Sequence, residues 1–349
     1  MTIIKVNASR AYEVIVGKEL LDKSGELCKA VISPCKACIV TDDTVAELYL
    51  DRVKSSLSRE GFEVVCFVFP HGEGSKNIST LENILEFAAE SRLTRTDCFV
   101  ALGGGVVGDI CGFAAAIYLR GIQFIQIPTT LLSAVDSSVG GKTGVDLRAG
   151  KNLAGAFHQP SLVICDYSTL DTLPFEAFAD GCAEVIKYGV INDRVFFEKL
   201  TESISSNLEY VIAKCVQNKR DIVEQDEFES GKRQLLNLGH TVGHAVEICS
   251  ELKISHGHAV AIGMAVIMRA SVNMGLCQQA DLDSLLALLK SEGLPTSCNF
   301  TAEQLSEIAT ADKKRNGSDI TLAIPYSIGD TRLKRIPVSE LCEFIKKGL

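Results

Sequence analysis

The chain has 349 residues, 46% of them hydrophobic, and a formal net charge of −9 at pH 7. That length allows two ordinary domains with full cores, and the composition is typical of a globular protein. The negative charge argues against a nucleic-acid-binding surface, and we find neither a signal sequence nor a membrane-length apolar run, so we expect a cytoplasmic protein that binds no membrane.

Strand-like and helix-like stretches alternate through the first half of the chain. Strands are predicted at residues 3–6, 12–16, 37–41, 62–69, 98–102 and 124–127, and helices at residues 45–58, 80–91 and 106–118. Alternation of this kind predicts a mostly parallel sheet with helices on both faces. Such sheets bind nucleotides at the carboxyl ends of their strands. We therefore predict an α/β domain over residues 1–173.

The thirteen cysteines lack the regular spacing of a disulfide framework, which predicts reduced thiols. Cys35 and Cys38 form one C-x-x-C motif, but no second pair completes a zinc site. We interpret these two cysteines as structural residues that lead into the strand predicted at residues 37–41.

A glycine-rich motif follows the strand predicted at residues 98–102. Gly103, Gly105 and Gly108 satisfy G-x-G-x-x-G between a strand and a helix, where backbone amides and a helix N-terminus can hold a pyrophosphate. The motif lies on a late strand, and the next predicted strand ends without the acidic residue that would bind a ribose. We therefore expect a variant dinucleotide site, and glycines that serve only a tight turn are the alternative.

A second glycine-rich stretch follows Asp136. Gly140 and Gly141 precede Lys142, but a P-loop needs a glycine at the position of Asp136, so we exclude a P-loop ATPase. We predict a hairpin or loop that presents Lys142 and Lys151, whose ammonium groups can bind phosphate or carboxylate oxygens. Exposed lysines that only increase solubility are the alternative.

The sequence pattern changes after residue 173. Helices are predicted at residues 176–189, 195–200, 211–225, 233–250, 257–273, 281–292, 303–310 and 338–347, with one short strand at residues 320–324. Because apolar residues recur with helical spacing through most of this stretch, we predict a second, helical domain over residues 174–349.

Four of the six histidines lie in this second domain. His240 and His244 are four residues apart, so both imidazoles can leave one face of a helix and bind a divalent metal. His256, just before the next predicted helix, can supply a third ligand. The spacing is not the His-Glu-x-x-His of a zincin, so a carboxylate ligand must come from elsewhere in the chain. Histidines that only pack in the core or lie on the surface are the alternative.

Together these motifs resemble the 3-dehydroquinate synthase family over nearly the whole chain. The matching segments are GGGVVGD (103–109), YLRGI and PTT (within 118–130), DSSVGGKTGVD (136–146), GKN (150–152), AEVIKYG (183–189), RQLLNLGHTVGHAVE (233–247), HGHAVAIGM (256–264) and DKK (312–314). The resemblance implies a Rossmann-like NAD-binding α/β domain followed by an all-helical metal-binding domain, usually in a homodimer. The implied reaction converts 3-deoxy-D-arabino-heptulosonate 7-phosphate to 3-dehydroquinate and phosphate.

The resemblance also implies which residues bind the metal and the substrate. Glu184, His240 and His256 would hold zinc, with cobalt as an alternative, whereas His244 would face the phosphate of the substrate instead of the metal. His258 stands where the family commonly has glutamate, and it is the competing ligand. The other residues implied to contact a sugar phosphate substrate are Asp136, Lys142, Asn152, Lys187, Lys219, Arg233, Asn237 and one of Lys313 and Lys314, with Arg120 reaching the neighbouring site of a homodimer.

For NAD, the resemblance implies contacts from several separate segments of the N-terminal domain. The residues concerned are Asp42, Glu73, Lys76, Gly105, Val106, Val107, Gly108, Asp109, Thr129, Thr130, Lys142, Lys151, Thr169, Leu170, Asp171 and Thr172.

Three other functions share some of these features. Another sugar phosphate cyclase, such as a 2-deoxy-scyllo-inosose or valiolone-type synthase, would use the same cofactors and early chemistry. A polyol dehydrogenase of the glycerol dehydrogenase type would share the architecture but accumulate NADH. A non-catalytic metal-binding protein would need no phosphate-binding lysines beside the metal.

Overall fold

The computed structural model describes residues 1–311 and 318–349, which form two compact units. The first unit contains Met1–Leu173 and Lys219–Glu227, and the second contains Pro174–Asn218 and Phe228–Leu349. The segment Lys219–Glu227 therefore counts with the first unit, whereas the sequence analysis places one boundary after residue 173.

The first unit contains an open sheet of seven strands and a separate hairpin. Its strands are β1 (Thr2–Val6), β2 (Tyr12–Gly17), β3 (Lys36–Asp42), β4 (Glu63–Phe69), β5 (Cys98–Gly103), β6 (Gln123–Pro128), β7 (Lys142–Leu147), β8 (Gly150–Phe157) and β9 (Leu162–Asp166). The strand order in the sheet is β1-β2-β9-β6-β5-β3-β4. β1 is antiparallel to β2, whereas the other neighbouring pairs are parallel. The predicted mostly parallel sheet is confirmed.

Helices pack against the central strands of this sheet and bury them on both faces. They are α1 (Ser24–Lys29), α2 (Asp43–Val45), α3 (Asp51–Arg59), α4 (Ile78–Glu90) and α5 (Gly105–Ile117). Side chains of β5 alternate between the faces: Val100 and Leu102 pack with residues of α1 and α3, and Phe99 and Ala101 pack with residues of α4 and α5. A strand buried on both faces has a continuous apolar sequence, which is why this one was readily predicted.

The sequence analysis missed β9, although this strand lies inside the sheet between β2 and β6. All five of its residues are buried. An apolar run this short does not distinguish a strand from a buried helix or loop by periodicity. Helix α1 was also missed, because its six residues include too few apolar side chains to show a helical period.

β7 and β8 are antiparallel and form the hairpin predicted after Asp136. The register pairs Lys142 with Phe157, so the hairpin extends beyond the predicted stretch. Gly140 and Gly141 have φ angles of 93° and 70°, a left-handed conformation that glycine adopts without a Cβ clash. These two glycines turn the chain into β7.

The second unit is mainly helical. Its helices are α6 (Phe175–Asn192), α7 (Arg194–Leu200), α8 (Leu208–Val223, whose last residues count with the first unit), α9 (His240–Cys249), α10 (His256–Asn273), α11 (Gln279–Ser291), α12 (Ala302–Ala311) and α13 (Leu341–Lys346). The predicted α/β domain followed by a helical domain is confirmed.

A hairpin of β10 (Asp319–Ser327) and β11 (Asp330–Pro337) corrects the description of the second domain as all-helical. The sequence predicted a strand at residues 320–324 but not its partner. β11 has the sequence DTRLKRIP, in which charged residues leave little apolar alternation to recognise.

The helix predicted over residues 233–250 is broken in the structure. A 3-10 helix spans Lys232–Asn237, and α9 begins only at His240, because Gly239 has a φ angle of 79°. α10 packs closely against this break: a Cβ added to Gly263 would lie 2.0 Å from the Gly239 carbonyl oxygen. The break at Gly239 therefore fixes the position of His240 at the start of α9.

All thirteen cysteines are free thiols. Cys38 is buried within β3, whereas Cys35 is half-buried, with its Sγ atom 3.9 Å from that of Cys98. Across the residues that the structure describes, every helix is too short or too polar to span a bilayer.

Candidate functional site

The carboxyl ends of the parallel strands lie along one edge of the sheet in the first unit. β3 ends at Asp42, β5 at Gly103, β6 at Pro128 and β9 at Asp166. From β3 the chain continues outward to β4, whereas from β5 it continues to β6 in the opposite direction. The strand order therefore reverses between β3 and β5, and ligands of open α/β sheets bind at such a reversal.

The loop after β5 carries the glycine-rich motif and leads directly into α5. Gly104 occupies the N-cap position, so no side chain at this position caps the first-turn amides. A Cβ on Gly103 would lie 2.5 Å from a Val107 methyl carbon, and one on Gly108 would lie 2.8 Å from Gln126 Oε1. The absence of Cβ atoms lets α5 pack close to β5 and β6. Its N-terminal amides can hold the phosphates of a dinucleotide.

Thr129 follows β6 at the same edge and is buried. Its Oγ1 atom has no hydrogen-bond partner among the described residues. Burying a hydroxyl without a partner costs free energy unless a ligand or water satisfies it. The Thr129 hydroxyl is therefore suited to a bound dinucleotide, whereas the neighbouring Thr130 hydroxyl already lies 2.8 Å from Ser133 Oγ.

Five of the predicted site residues meet around the buried Lys76 side chain. Its Nζ atom lies 2.6 Å from Asp109 Oδ2 and donates to Asn152 Oδ1 at 2.6 Å. Burial lowers the pKa of Lys76, but the Asp109 and Glu73 carboxylates outweigh burial and raise it above its ordinary value. Burial raises the pKa of Asp109, and Lys76 opposes that shift. Lys151 Nζ lies 3.5 Å from Glu73 Oε1. Because Asn152 accepts from Lys76, this predicted substrate residue lies among predicted cofactor residues.

The remaining predicted cofactor residues follow β3 and β9. The Asp42 side chain accepts a backbone hydrogen bond of 2.8 Å at the start of α2, and burial raises the pKa of its carboxyl group. After β9, a 3-10 helix spans Tyr167–Thr172. Tyr49 Oη donates to the Thr169 carbonyl at 3.1 Å and lies 2.5 Å from Thr172 Oγ1. Both segments thus lie at the carboxyl edge of the sheet, held in place by local hydrogen bonds.

Asp136 and Lys219 are distant in sequence but in contact in the first unit. Lys219 Nζ lies 2.8 Å from Asp136 Oδ1 and donates to the Asp136 carbonyl at 2.5 Å. The contact forms because segment Lys219–Glu227 packs within this unit. Lys142, another predicted substrate residue, begins β7 and is exposed.

In the second unit, three helices bring together Glu184, His240 and His256. Glu184 lies on α6 and is fully buried, whereas His240 and His256 are the first residues of α9 and α10. Glu184 Oε1 lies 3.6 Å from His240 Nε2 and 3.5 Å from His256 Nε2. One carboxylate and two imidazoles, with room for a further ligand, are a common catalytic zinc set. The donor set therefore fits a divalent metal.

His240 and His256 are each oriented by a contact of Nδ1, the ring nitrogen that does not face Glu184. His240 Nδ1 lies 3.2 Å from the Leu238 carbonyl oxygen, and His256 Nδ1 lies 3.3 Å from Glu247 Oε2. A carbonyl or carboxylate oxygen accepts hydrogen bonds, so Nδ1 carries the hydrogen in each ring. This arrangement leaves the two Nε2 atoms as the metal-binding nitrogens.

The two histidines have opposite pKa shifts. Burial lowers the pKa of His240 to about 3, and the nearby Lys187 ammonium adds to the effect. Burial also lowers the pKa of His256, but hydrogen bonds to Glu184 and Glu247 outweigh burial and raise it to about 10. His240 is therefore neutral and ready to bind a metal, whereas His256 must lose a proton when a metal binds.

Three predicted substrate residues lie on α6 or on the 3-10 helix before α9, close in sequence to Glu184 and His240. Lys187, one helical turn after Glu184 on α6, is buried and in contact with the Glu184 carboxylate. Arg233 lies on the 3-10 helix before α9 and is 1% exposed. Asn237 ends that 3-10 helix, and its Nδ2 donates to Glu229 Oε1 at 2.9 Å. Buried cationic side chains of this kind are rare and often mark functional sites.

His244 and His258 occupy different positions relative to the three metal candidates. The exposed His244 ring lies 5.3 Å, centre to centre, from His240, but His244 forms a possible ligand group with Glu247 and His256, not with Glu184. His258 Nδ1 lies 2.7 Å from Asp180 Oδ1, apart from both groups.

Glu247 is a site residue that the sequence analysis missed. It lies seven residues after His240, two turns along α9, and its side chain is buried beside His256. The spacing His240, His244, Glu247 places all three on one helical face, which was the available signal.

Arg120 lies in a strained segment of the first unit. Leu119 and Arg120 have φ angles of 49° and 68°, and both side chains are exposed. Non-glycine residues adopt this conformation at a cost in free energy, and such residues concentrate at functional sites. Lys313 and Lys314, the remaining predicted substrate residues, lie outside the described residues.

Comparison with known sequences matches both halves of the chain to one family. The family model for the N-terminal part of 3-dehydroquinate synthase matches residues 66–180, and the model for the C-terminal part matches residues 181–315. The chain is 41% identical to 3-dehydroquinate synthase of Streptococcus suis over 343 residues, which cover 96% of this chain and 97% of the relative. It is 44% identical to that of Citrifermentans bemidjiense over 336 residues, covering 94% and 93%.

Solved structures of two other synthases share the fold over nearly the whole chain. A 2-deoxy-scyllo-inosose synthase complexed with carbaglucose-6-phosphate, NAD+ and Co2+ has a TM-score of 0.88 at 25% identity and covers 100% of both chains. The 2-epi-5-epi-valiolone synthase of Streptomyces hygroscopicus, with NAD+ and Zn2+ bound, has a TM-score of 0.88 at 28% identity and covers 98% and 97%. A probable glycerol dehydrogenase from Sinorhizobium meliloti, at 16% identity, 99% and 97% coverage and a TM-score of 0.64, shares the fold alone.

Proposed function

The chain belongs to the 3-dehydroquinate synthase family, and from that premise we propose how its residues convert 3-deoxy-D-arabino-heptulosonate 7-phosphate to 3-dehydroquinate and phosphate. The reaction eliminates phosphate and closes a carbocycle, so the enzyme is a carbon–oxygen lyase of the shikimate pathway. The main support for this site is the group Glu184, His240 and His256. The Nε2 atoms of both histidines face one buried carboxylate oxygen of Glu184.

We propose that NAD binds at the carboxyl edge of the sheet in the first unit. The uncapped N-terminus of α5 and the unpartnered Thr129 hydroxyl support this position, and NAD+ is bound in two solved relatives. NAD bound there would supply reversible hydride transfer at C5 of the substrate, with no net oxidation over a turnover. The proposed NAD-binding residues are Asp42, Glu73, Lys76, Gly105 to Asp109, Thr129, Thr130, Lys142, Lys151 and Thr169 to Thr172.

Glu184, His240 and His256 are proposed to hold the divalent metal, zinc or cobalt. Related structures contain Co2+ or Zn2+, and the donor set of one carboxylate and two imidazoles suits either ion. When bound, the metal supplies Lewis-acid polarisation of the substrate hydroxyl oxygens. His258 is not included in the ligand set, because its Nδ1 is already 2.7 Å from Asp180 Oδ1.

The substrate carries a carboxylate and a phosphate, and a set of cationic side chains is proposed to bind them. Within an acidic protein, such a set concentrates positive potential at the site. Lys187 and Arg233 are buried, which supports a role for both beyond surface charge. The cationic residues proposed to contact substrate are Lys142, Lys187, Lys219 and Arg233, and the further proposed contacts are Asp136, Asn152, Asn237 and His244.

These residues are proposed to act by binding and orientation. A ketone at C5 acidifies the C6 proton, which passes to an oxygen of the phosphate group as the carbon–oxygen bond to phosphate breaks. His244 and the lysines hold the phosphate in the geometry that this transfer needs, and they stabilise the negative charge that develops on it. Once C5 again carries a hydroxyl group, ring opening and an intramolecular aldol reaction would close the carbocycle.

A homodimer is proposed, in which Arg120 reaches the site of the partner. The strained backbone at Leu119 and Arg120 and the exposed side chains of Ile117 and Leu119 support a contact surface here. An Arg120 side chain that points away from its own subunit can then complete a second site.

The second candidate function is that of another sugar phosphate cyclase. It is favoured by the TM-scores of 0.88 to the 2-deoxy-scyllo-inosose and valiolone synthases. Both candidates are tested by phosphate release from zinc-loaded protein with catalytic NAD, with absorbance at 340 nm followed in parallel. The proposal predicts stoichiometric phosphate from the heptulosonate phosphate, no accumulated NADH, and complete inhibition by a chelator. Phosphate release from glucose 6-phosphate instead would assign the other cyclase, and net NADH from polyols would assign a dehydrogenase.

A further inference from the structure

The carboxylate of Glu247 lies behind the proposed metal site, on the far side of His256. It is on α9 and is 3% exposed, and His256 is the first residue of α10. The Glu247 Oε2 atom lies 3.3 Å from His256 Nδ1. On the other side of the same ring, Nε2 lies 3.5 Å from Glu184 Oε1. The imidazole therefore lies between two buried carboxylates, one for each nitrogen.

The two proposed histidine ligands are oriented in different ways. His240 Nδ1 faces a backbone carbonyl two residues earlier, an acceptor that the fold of its own segment supplies. His256 stands at the start of a helix and its ring is directed by a side chain from another helix. A metal-binding histidine needs a fixed tautomer and ring orientation, and a carboxylate that accepts from the non-binding nitrogen provides both.

We infer that Glu247 is a positioning residue: it accepts the Nδ1–H of His256 and thereby aims Nε2 at the metal. The inference rests on the metal site proposed above. Glu247 touches neither the substrate nor, in this arrangement, the metal itself. The alternative group of His244, Glu247 and His256 would make Glu247 a ligand, and the two roles predict different variant behaviour.

The test compares zinc affinity of metal-free protein carrying Glu247→Gln, Glu247→Leu or Glu251→Gln, measured by competition with a chelating indicator. Glu247→Gln keeps an acceptor oxygen at the same place, whereas Glu247→Leu removes it. Glu251 is an exposed neighbour just beyond α9, paired with Lys253, and serves as the matched control. Circular dichroism of the metal-free proteins establishes that each variant is folded.

Removing the group that accepts a hydrogen bond from a metal-binding histidine typically weakens metal binding about 10- to 100-fold. The zinc affinity of Glu247→Leu should therefore be lower than that of the wild type by about that factor. Glu247→Gln should retain most of the affinity, and Glu251→Gln should match the wild type. In cobalt-loaded protein, the visible absorption bands should change in Glu247→Leu and be restored in Glu247→Gln, a pattern that a merely structural role would not produce.

Two results would overturn the positioning role while leaving the metal site intact. Unchanged affinity in Glu247→Leu would mean that the hydrogen bond has no effect on the metal, and complete loss of metal in Glu247→Gln would make Glu247 a ligand. Wild-type protein that takes up no zinc would instead overturn the proposed function together with this inference.

Discussion

His240 and His256 face the same carboxylate oxygen and yet differ in charge. Desolvation of its largely buried ring lowers the pKa of His240 to about 3, and the nearby Lys187 ammonium adds to the shift. His256 has carboxylates at both nitrogens, which raise its pKa to about 10 despite burial. The difference follows from the neighbours of each ring and not from the residue type.

Zinc binding is therefore predicted to release about one proton per metal near pH 8, because His256 is the proposed histidine ligand that is still protonated at that pH. Since protons compete with the metal until the pH passes the pKa of His256, zinc affinity should rise about tenfold per pH unit between about pH 7 and pH 9. His240 adds nothing to this pH dependence, because its pKa of about 3 leaves the ring neutral at pH 7 to 9. Calorimetry in buffers of different ionisation enthalpy measures the proton release, and affinity that does not depend on pH would contradict the assignment.

Helix packing sets the positions of the histidine ligands. α9 starts at His240 because the chain turns at Gly239, and α10 passes within contact distance of that turn at Gly263. Neither contact leaves room for a Cβ atom: one on Gly239 would lie 2.7 Å from the Val260 carbonyl oxygen. The start of α9 is therefore fixed against the backbone of α10.

Gly263→Ala should lower the free energy of unfolding by roughly 1–3 kcal/mol, the usual cost of overpacking a core. The added methyl group would meet the Gly239 carbonyl oxygen at 2.0 Å, which requires the two helices to separate. Urea unfolding measures the effect. A Cβ on Gly74 meets no atom within 4 Å, so Gly74→Ala serves as the control and should change stability by less than about 0.5 kcal/mol. Equal stability of the two variants would contradict the close packing.

At the level of elements, apolar periodicity predicted most of the sheet and most of the helices, but not their breaks. The stretch at residues 233–250 has helical spacing on both sides of Gly239, so periodicity alone joined two helices into one. Glu247 was missed for a related reason. Its spacing places it on the histidine face of α9, but only the packing of α10 shows which residue it meets.

At the scale of the whole molecule, the sequence motifs predicted the family, while the contacts between distant segments needed the structure. Asp136 lies in one of the matching segments and Lys219 lies outside all of them, and nothing in the local sequence of either residue shows that they form an ion pair. Asn152 was predicted to contact substrate, and yet its side chain oxygen accepts from Lys76. Contacts between residues far apart in sequence depend on tertiary packing. The local pattern of one sequence therefore does not predict them.

The proposed homodimer predicts complementation between two inactive variants. In a mixed dimer of Arg120→Ala and His244→Ala subunits, the site of the Arg120→Ala subunit receives an intact arginine from its partner and keeps its own His244. Random mixing should therefore restore about a quarter of wild-type activity, because half of the dimers are mixed and each has one complete site. Mixed samples as inactive as the separate variants would contradict the proposed role of Arg120.

The central claim is that Glu184, His240 and His256 bind the metal while His244 acts on the substrate. It is tested most directly by measuring the metal content of purified variants after gel filtration. Glu184→Ala and His240→Ala should retain little or no zinc, whereas His244→Ala should retain one zinc per chain and lose turnover. Loss of zinc from His244→Ala, or full retention in Glu184→Ala, would contradict the account.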